Sequence, residues 1–158
     1  MKMVNYRLII CGDGNFMKQA KLLVKQNKLE DKIIFKGIIE PEELRIITQQ
    51  AYLGVNLIEN DSLNNYLSLA NKFFDYMHAD VPQLCSAYPA YKEINNQYKV
   101  ALLTDDMTPN NLSLLLNNLL NNEVLYNELK NNCHSAKQFY NWQNEEKELL
   151  KLYRNYLG

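Results

Sequence analysis

The sequence has little net charge and no long apolar run. Its 158 residues carry 17 basic and 18 acidic side chains, for a formal net charge of −1. That balance argues against a broad basic face for nucleic acid. The N-terminal apolar run, Leu8–Cys11, is too short for a signal peptide, and no stretch approaches the roughly 18 apolar residues of a membrane span. We therefore predict a soluble, cytoplasmic protein that binds no nucleic acid.

Cysteine and histidine are also scarce. Cys11, Cys85 and Cys133 are odd in number and widely spaced, and His78 and His134 have no ligand partners at useful offsets. No zinc spacing exists, so we predict no metal site. We expect free thiols, with Cys11 and Cys85 buried inside strands.

Short apolar runs alternate with segments of helical periodicity along most of the chain. The predicted strands cover residues 6–11, 31–37, 52–58, 81–86 and 100–103. The predicted helices cover residues 16–27, 40–50, 68–79, 88–96, 108–120, 123–138 and 143–157. This alternation predicts one α/β domain over residues 1–158, with a mainly parallel sheet, helices on both faces and a helical C-terminus. The continuous Leu8–Cys11 run predicts a first strand buried on both faces.

Three loops follow predicted strands at their carboxyl ends, where ligands bind in such sheets. They are Gly12–Gly14, Glu59–Ser68 and Ser86–Tyr91. Gly12 and Gly14 favour either a tight strand-to-helix turn or a glycine loop of a nucleotide cleft. A dinucleotide fingerprint is disfavoured, because Met17 replaces its third glycine and Lys36 stands where its acid belongs. Convergence of the three loops predicts one cleft.

The helix after Ser68 has the most suggestive polar pattern. Ser68 occupies a potential N-cap position, and Asn71, Lys72 and Asp75 share one helix face. Lys72 and Asp75 can form a surface ion pair. Alternatively, Asp75 accepts hydrogen bonds from ribose hydroxyls while Lys72 and the amides near Leu69 and Ala70 face phosphates.

Other polar and aromatic residues have simpler interpretations. His78 is expected at a helix end, and Glu93 alone indicates only a solvated side chain. Trp142, Tyr140, Tyr153 and Tyr156 are expected to pack the last helix rather than to form a sugar platform.

Taken together, these segments resemble a known family. Over essentially its whole length, the chain resembles the C-terminal half of family-four retaining glycosyltransferases of the GT-B fold. The segments that carry this resemblance are Leu8-Ile-Ile-Cys-Gly-Asp-Gly14, Lys32-Ile-Ile-Phe-Lys-Gly37, Pro41-Glu-Glu-Leu44 and Ala51-Tyr-Leu-Gly-Val-Asn-Leu57. Ser68-Leu-Ala-Asn-Lys-Phe-Phe-Asp-Tyr-Met-His-Ala-Asp-Val-Pro82 is similar to that family's donor-site helix. The resemblance implies a Rossmann-like three-layer domain.

The resemblance also assigns roles. Asp75 matches the second acid of a Glu-x7-Glu motif, which holds the nucleotide ribose, while Leu67 replaces the first acid. Leu69 and Ala70 match the small turn whose amides meet the diphosphate. Glu93 matches the acid of a later Gly-x-x-Glu element, and Asp80 replaces a glycine. No catalytic residue is assigned.

The function implied is transfer of a sugar from a nucleoside diphosphate to a saccharide or lipid-linked acceptor, with retention, as in polysaccharide biosynthesis. The resemblance implies no cofactor beyond the nucleotide sugar as donor substrate. The family's basic Arg…Lys pair and its acceptor-binding N-terminal domain belong upstream of Met1, so the chain is expected to be an enzyme's donor half, inactive alone. Peripheral association of the whole enzyme with the inner membrane face is a further expectation. The alternative is a non-catalytic α/β module that uses its leucine-rich C-terminal helices as an interaction surface.

Overall fold

The computed structural model describes residues 6–157. The chain divides into two compact units, one extending to Ile47 and the other starting at Thr48.

The first unit has two parallel strands and their helices. β1 (Leu8–Cys11) is followed by α1 (Met17–Gln26), β2 (Ile33–Gly37) and α2 (Pro41–Gln50), whose last turn enters the second unit. β1 pairs in parallel with β2 alone. Leu8 and Ile9 are 45% and 44% exposed. The prediction that both faces of β1 are buried is therefore wrong, because a two-stranded ribbon gives these side chains too few neighbours to pack against.

The second unit contains a three-stranded parallel sheet in the order β3-β4-β5. The strands are β3 (Gly54–Asn56), β4 (Gln83–Ser86) and β5 (Ala101–Thr104). The helices are α3 (Leu63–Tyr66), α4 (Asn71–His78), α5 (Pro89–Gln97), α6 (Pro109–Asn121), α7 (Glu123–Ala136) and α8 (Trp142–Leu157). All five predicted strands are thus present, and every strand pair is parallel. The short helix α3 was not predicted.

Helices cover both faces of this second sheet. Successive side chains of a strand point to opposite faces, so Leu84 and Cys85 of β4 enter different cores. Cys85 packs with Phe73 and Met77 of α4, with α5 and with α7. Leu84 packs with Leu119 of α6 and with Leu129 of α7. The predicted arrangement of helices on both faces of a parallel sheet is confirmed in this unit.

All three cysteines are free. Cys85 and Cys133 are fully buried, whereas Cys11 is partly exposed. The predicted burial of Cys11 is therefore wrong, since β1 has the sparse packing described above.

Most of the aromatic side chains in and next to the last helix are exposed and do not pack against a core. Trp142, Tyr153 and Tyr156 are exposed, and only Tyr140, just before α8, packs against a core. The prediction that these aromatics pack the last helix is correct for Tyr140 alone. Within residues 6–157, no helix is both long enough and apolar enough to span a bilayer.

Candidate functional site

The polar loop after β3 ends in a turn that leads into α4. Ser62 caps α3, and its hydroxyl accepts a hydrogen bond from the Asn65 amide at 3.2 Å. Ser68 then donates its hydroxyl proton back to the Asn65 carbonyl at 2.8 Å. The residue that caps α4 is Ala70, and the helix begins at Asn71. The prediction of Ser68 as the cap is therefore wrong, because its hydroxyl closes the preceding turn.

Two side chains of the β4–α5 connection hold the start of this loop. The Ser86 hydroxyl accepts from the Ile58 amide at 2.8 Å and lies 3.2 Å from the Ile58 carbonyl oxygen. The Tyr88 hydroxyl donates to the same carbonyl. Burial raises the pKa of Tyr88, so the phenol stays protonated as a donor. The Tyr66 and Tyr88 ring centroids lie 5.3 Å apart, so the Glu59–Ser68 and Ser86–Tyr91 loops meet within this unit. That Gly12–Gly14 joins them in one cleft stays a prediction.

Tyr91 fixes the turn in front of α4. Its ring is fully buried, and its hydroxyl accepts from the Ala70 amide at 2.9 Å. Since that amide has a partner, the unoccupied backbone donors here are those of Leu69, Asn71 and Lys72, for which the described part of the chain offers no acceptor. Unpaired amides at a helix N-terminus, reinforced by the helix dipole, favour an anion.

Asp75 lies one turn into α4, on the face that carries Asn71 and Lys72. All three side chains are exposed. Across residues 6–157, neither Lys72 nor Asp75 forms an ion pair, so the surface ion pair considered above is not formed. The Lys72 charge is close enough to lower the pKa of Cys85, although burial dominates and raises it to about 12. An ammonium group and a carboxylate are therefore both available beside the open amides.

Two strand residues lie under α4 with unsatisfied buried oxygens. Gln83 donates from Nε2 to the Phe73 carbonyl at 3.0 Å, and Asn56 donates from Nδ2 to the Cys85 sulfur at 3.4 Å. Both side chains are fully buried, and their carbonyl oxygens have no partner in the described structure. The bond from Gln83 ties α4 to β4 and so fixes the height of the helix over the sheet.

Glu93 lines a cleft of about 320 Å³. The cleft is lined by α4, α5 and the start of α8, including Leu69, Phe74, Tyr140 and Glu145. Glu93 is exposed, and among residues 6–157 it has no ion-pair partner. Leu69 is common to this cleft and to the turn before α4.

Gly12 and Gly14 belong to the first unit. Gly12 has a φ of 120°, and its amide donates to the Gly37 carbonyl. The Gly14 amide donates to the Asp13 carboxylate at 2.8 Å. A positive φ explains the need for glycine at position 12. These contacts fit a tight strand-to-helix turn.

Comparison with known proteins identifies the family. The family model described as "Glycosyl transferases group 1" matches residues 2–138. The chain belongs to the group 1 glycosyl transferases. No curated protein matches the sequence of this group 1 glycosyl transferase.

Several solved structures share the fold of this group 1 glycosyl transferase. Sucrose-phosphate synthase from Thermosynechococcus elongatus is 19% identical, with a TM-score of 0.78 over 96% of this chain and 38% of its own. Anabaena HepE in complex with UDP is 13% identical, with a TM-score of 0.78 over 95% and 41%. The C-terminal domain of LpcC from Francisella tularensis is 19% identical, with a TM-score of 0.62 over 80% and 62%. The fold is that of a Rossmann-like C-terminal half of a GT-B glycosyltransferase.

This group 1 glycosyl transferase chain spans about two fifths of the length of the first two structures. Sequence reasoning missed the two tyrosines, Tyr88 and Tyr91, that hold the turn before α4. The sequence analysis placed both within the Ser86–Tyr91 loop and gave neither a role of its own. A buried tyrosine hydroxyl needs a partner, and that requirement is the signal that could have suggested their role.

Proposed function

We propose that this chain is the donor-binding half of a glycosyltransferase. The observation that carries the proposal is the open first turn of α4, where the Asn71 and Lys72 amides lack acceptors in the described structure and Asp75 stands unpaired on the same face. The whole enzyme would move a sugar from a nucleoside-diphosphate sugar to a saccharide or lipid-linked acceptor, with retention. Family membership and the UDP and UDP-glucose complexes of HepE support this assignment.

The diphosphate would bind at the first turn of α4. Backbone amides at a helix N-terminus donate to phosphate oxygens, and the helix dipole adds a favourable charge interaction. Leu69, Asn71 and Lys72 offer such amides, and the Lys72 ammonium adds a positive charge. Ser68 and Ala70 would shape the turn, with the Ala70 amide held by Tyr91.

The ribose would bind at Asp75. A carboxylate accepts hydrogen bonds from two vicinal hydroxyls, and Asp75 is exposed without an ion-pair partner among residues 6–157. Its position one turn from the open amides matches the succession of ribose and diphosphate in a nucleotide. Leu67, exposed before the turn, supplies no polar contact to the donor sugar.

Catalysis requires more than these groups. Transfer needs a positioned acceptor and stabilisation of the leaving diphosphate, to which this chain contributes a helix dipole and Lys72. A second, acceptor-binding domain and a basic pair would supply the rest. We propose that the donor sugar needs no cofactor and no metal, and that the whole enzyme works in the cytoplasm, at the inner membrane face when its acceptor is lipid-linked. Roles for Gly12, Gly14 and Glu93 in donor binding stay predictions.

Calorimetry with UDP and GDP tests the donor site. We expect weak binding to the parent chain, with a Kd of about 1 mM, or about −4 kcal/mol. Asp75→Ala should weaken UDP binding about tenfold, because hydrogen bonds to a charged group contribute about 1.5–3 kcal/mol. Binding of pyrophosphate should hardly change.

Glu146→Ala is the matched control, since it removes an exposed carboxylate from α8 and should leave UDP binding unchanged. Equal UDP affinity for Asp75→Ala and the parent would remove Asp75 from the ribose site. If no nucleoside diphosphate raises Tm at millimolar concentration, the non-catalytic interaction module becomes the better assignment.

A further inference from the structure

Tyr91 contacts the residues on either side of Asn71 and Lys72, whose amides are open. Its hydroxyl accepts from the Ala70 amide, just before α4, at 2.9 Å. Its ring packs against the Phe73 ring, just after Lys72, with the two centroids 5.1 Å apart. The Phe73 amide in turn donates to the Ala70 carbonyl at 3.0 Å and closes the first turn. One side chain of α5 therefore holds both ends of the segment that carries the open amides.

The Tyr91 side chain is itself held firmly. It is fully buried in the same core as Met77 and Cys85. Within residues 6–157, the Ala70 amide is the one hydrogen-bond partner of its hydroxyl. A buried hydroxyl is costly without a partner, so this bond is favoured on both sides. Removal of the hydroxyl would break this bond and no other.

The same bond fixes the direction of a peptide group in the turn. Ala70 has an extended backbone, with a φ of −74° and a ψ of 139°, and the helix begins at the next residue. Because a peptide group is planar, holding the Ala70 N–H fixes the whole Leu69–Ala70 peptide plane. This plane lies between the peptide that carries the Leu69 amide and the peptide that carries the Asn71 amide. The bond to Tyr91 therefore limits how far either open amide can turn.

We propose that Tyr91 is a positioning residue of the donor site, whose hydroxyl keeps the open amides of the turn directed at the diphosphate. This inference rests on the proposed function. Tyr91 acts through the backbone, because its fully buried side chain cannot touch a ligand. Donors that are fixed before the ligand arrives need no reorganisation when it binds, whereas a mobile turn must first be ordered.

NMR titration of the full chain with pyrophosphate and with UDP tests the proposal. Tyr91→Phe should raise the Kd of both ligands by the same factor, about tenfold, because one hydrogen bond is lost and the diphosphate is common to both. Asp75→Ala should raise only the Kd of UDP. If Tyr91 served stability alone, Tyr91→Phe would lower Tm and leave both Kd values unchanged.

Tyr126→Phe is the matched control. The Tyr126 hydroxyl donates to the Tyr52 carbonyl at 2.9 Å, so this variant also removes one bond between a tyrosine hydroxyl and the backbone. Its two Kd values should equal those of the parent chain. Unchanged Kd values for Tyr91→Phe, or an equal loss for Tyr126→Phe, overturn the inference and leave the proposed function standing. A parent chain that binds neither ligand contradicts the proposed function, and the inference falls with it.

The parent chain allows a second test that needs no variant. During the pyrophosphate titration, the amide signal of Ala70 should move much less than those of Asn71 and Lys72, because the Ala70 N–H is already bonded to Tyr91. An Ala70 signal that moves as far as the Asn71 signal would mean that the Ala70 amide binds the ligand instead of Tyr91. That result overturns the inference even if Tyr91→Phe does not fold.

Discussion

At the residue scale, an ion pair of the Asp80 side chain offsets the energetic cost of the Asp80 backbone conformation. It follows α4 with a φ of 57°, in the left-handed region that costs an L-residue roughly 1 kcal/mol or more. Lys137 Nζ lies 2.6 Å from Asp80 Oδ2, and both side chains are less than one third exposed. The ion pair ties the end of α4 to the end of α7.

We expect Lys137→Met to lower the free energy of unfolding by about 1–2 kcal/mol. The substitution leaves the partly buried Asp80 carboxylate with only the exposed His134 ring, whose Nδ1 lies 3.5 Å from Asp80 Oδ2, as a partner. The expected loss is smaller than the roughly 3–5 kcal/mol typical of fully buried pairs. Adding Asp80→Gly should recover much of the loss, because glycine removes both the charge and the strain. Urea unfolding measures the free energy of unfolding of the parent chain, of Lys137→Met and of the double variant.

Lys151→Met is the control for this comparison. Lys151 pairs with Glu148, and both side chains are at least 70% exposed. The free energy of unfolding should change by less than about 0.5 kcal/mol. An equal loss for Lys137→Met and Lys151→Met would contradict the role given to Asp80.

The three cysteines should differ in reactivity. Burial raises the pKa of Cys85 and of Cys133 to about 12, so at pH 8 only about one thiol in ten thousand is ionised. Native protein treated with maleimide should therefore acquire one label, on Cys11, and three labels in denaturant. Mass spectrometry counts the labels, and rapid double labelling of the native chain would contradict this burial.

The same pKa shifts predict a pH dependence. Because the folded state raises the pKa of these two thiols, it favours their protonated forms, and this preference adds to the free energy of unfolding. The added stability is complete below the ordinary thiol pKa of 9.0. It is lost as pH rises from 9.0 toward 12.

At the element scale, α4 lies against the backbone of β3. A Cβ added to Gly54 would lie 2.5 Å from the Tyr76 ring, so only glycine allows the helix this close. We expect Gly54→Ala to lower the free energy of unfolding by about 1–3 kcal/mol, as overpacking does. Thermal or urea unfolding measures the loss.

Gly14→Ala provides the comparison, because no atom lies within 4 Å of its added Cβ. Its effect should stay within about 0.5 kcal/mol. Combining Gly54→Ala with Tyr76→Leu should recover part of the loss. No recovery would mean that the ring is not the obstacle.

Periodicity predicted the long elements well and their ends less well. The strands and the helices α1 and α2 follow from apolar spacing, which is a local property. The start of α4 could not be predicted in this way, since it depends on whether the Ser68 hydroxyl turns forward or back toward Asn65. Likewise, the face of Asp75 follows from helical spacing, but the role of Tyr91 depends on a contact 21 residues away.

At the scale of the whole molecule, the two units differ in how much they bury. Val24 is the one buried apolar side chain that the described part of the first unit contains, while the second unit has two buried clusters. Alternation of strands and helices predicted the parallel pairing, but it could not predict this difference, because burial depends on which elements surround each strand.

Amide hydrogen exchange should follow this division. Local stability rises with buried apolar contact, so amides of β1 and β2 should exchange at least tenfold faster than those of β4 and β5. Exchange monitored by mass spectrometry over residues 6–157 measures the difference. Equal protection in the two sheets would contradict it.

The central claim is that a nucleoside diphosphate binds the first turn of α4 and Asp75. Amide chemical shifts, followed by NMR during titration of the chain with UDP and separately with pyrophosphate, test this claim most directly. Pyrophosphate should move the amide signals of Asn71 and Lys72. UDP should move those signals and also that of Asp75, and Asp75→Ala should abolish only the additional change. The assignment would be contradicted if the α4 amide signals stay fixed while signals elsewhere in the chain move. It would also be contradicted if no amide signal moves with either ligand.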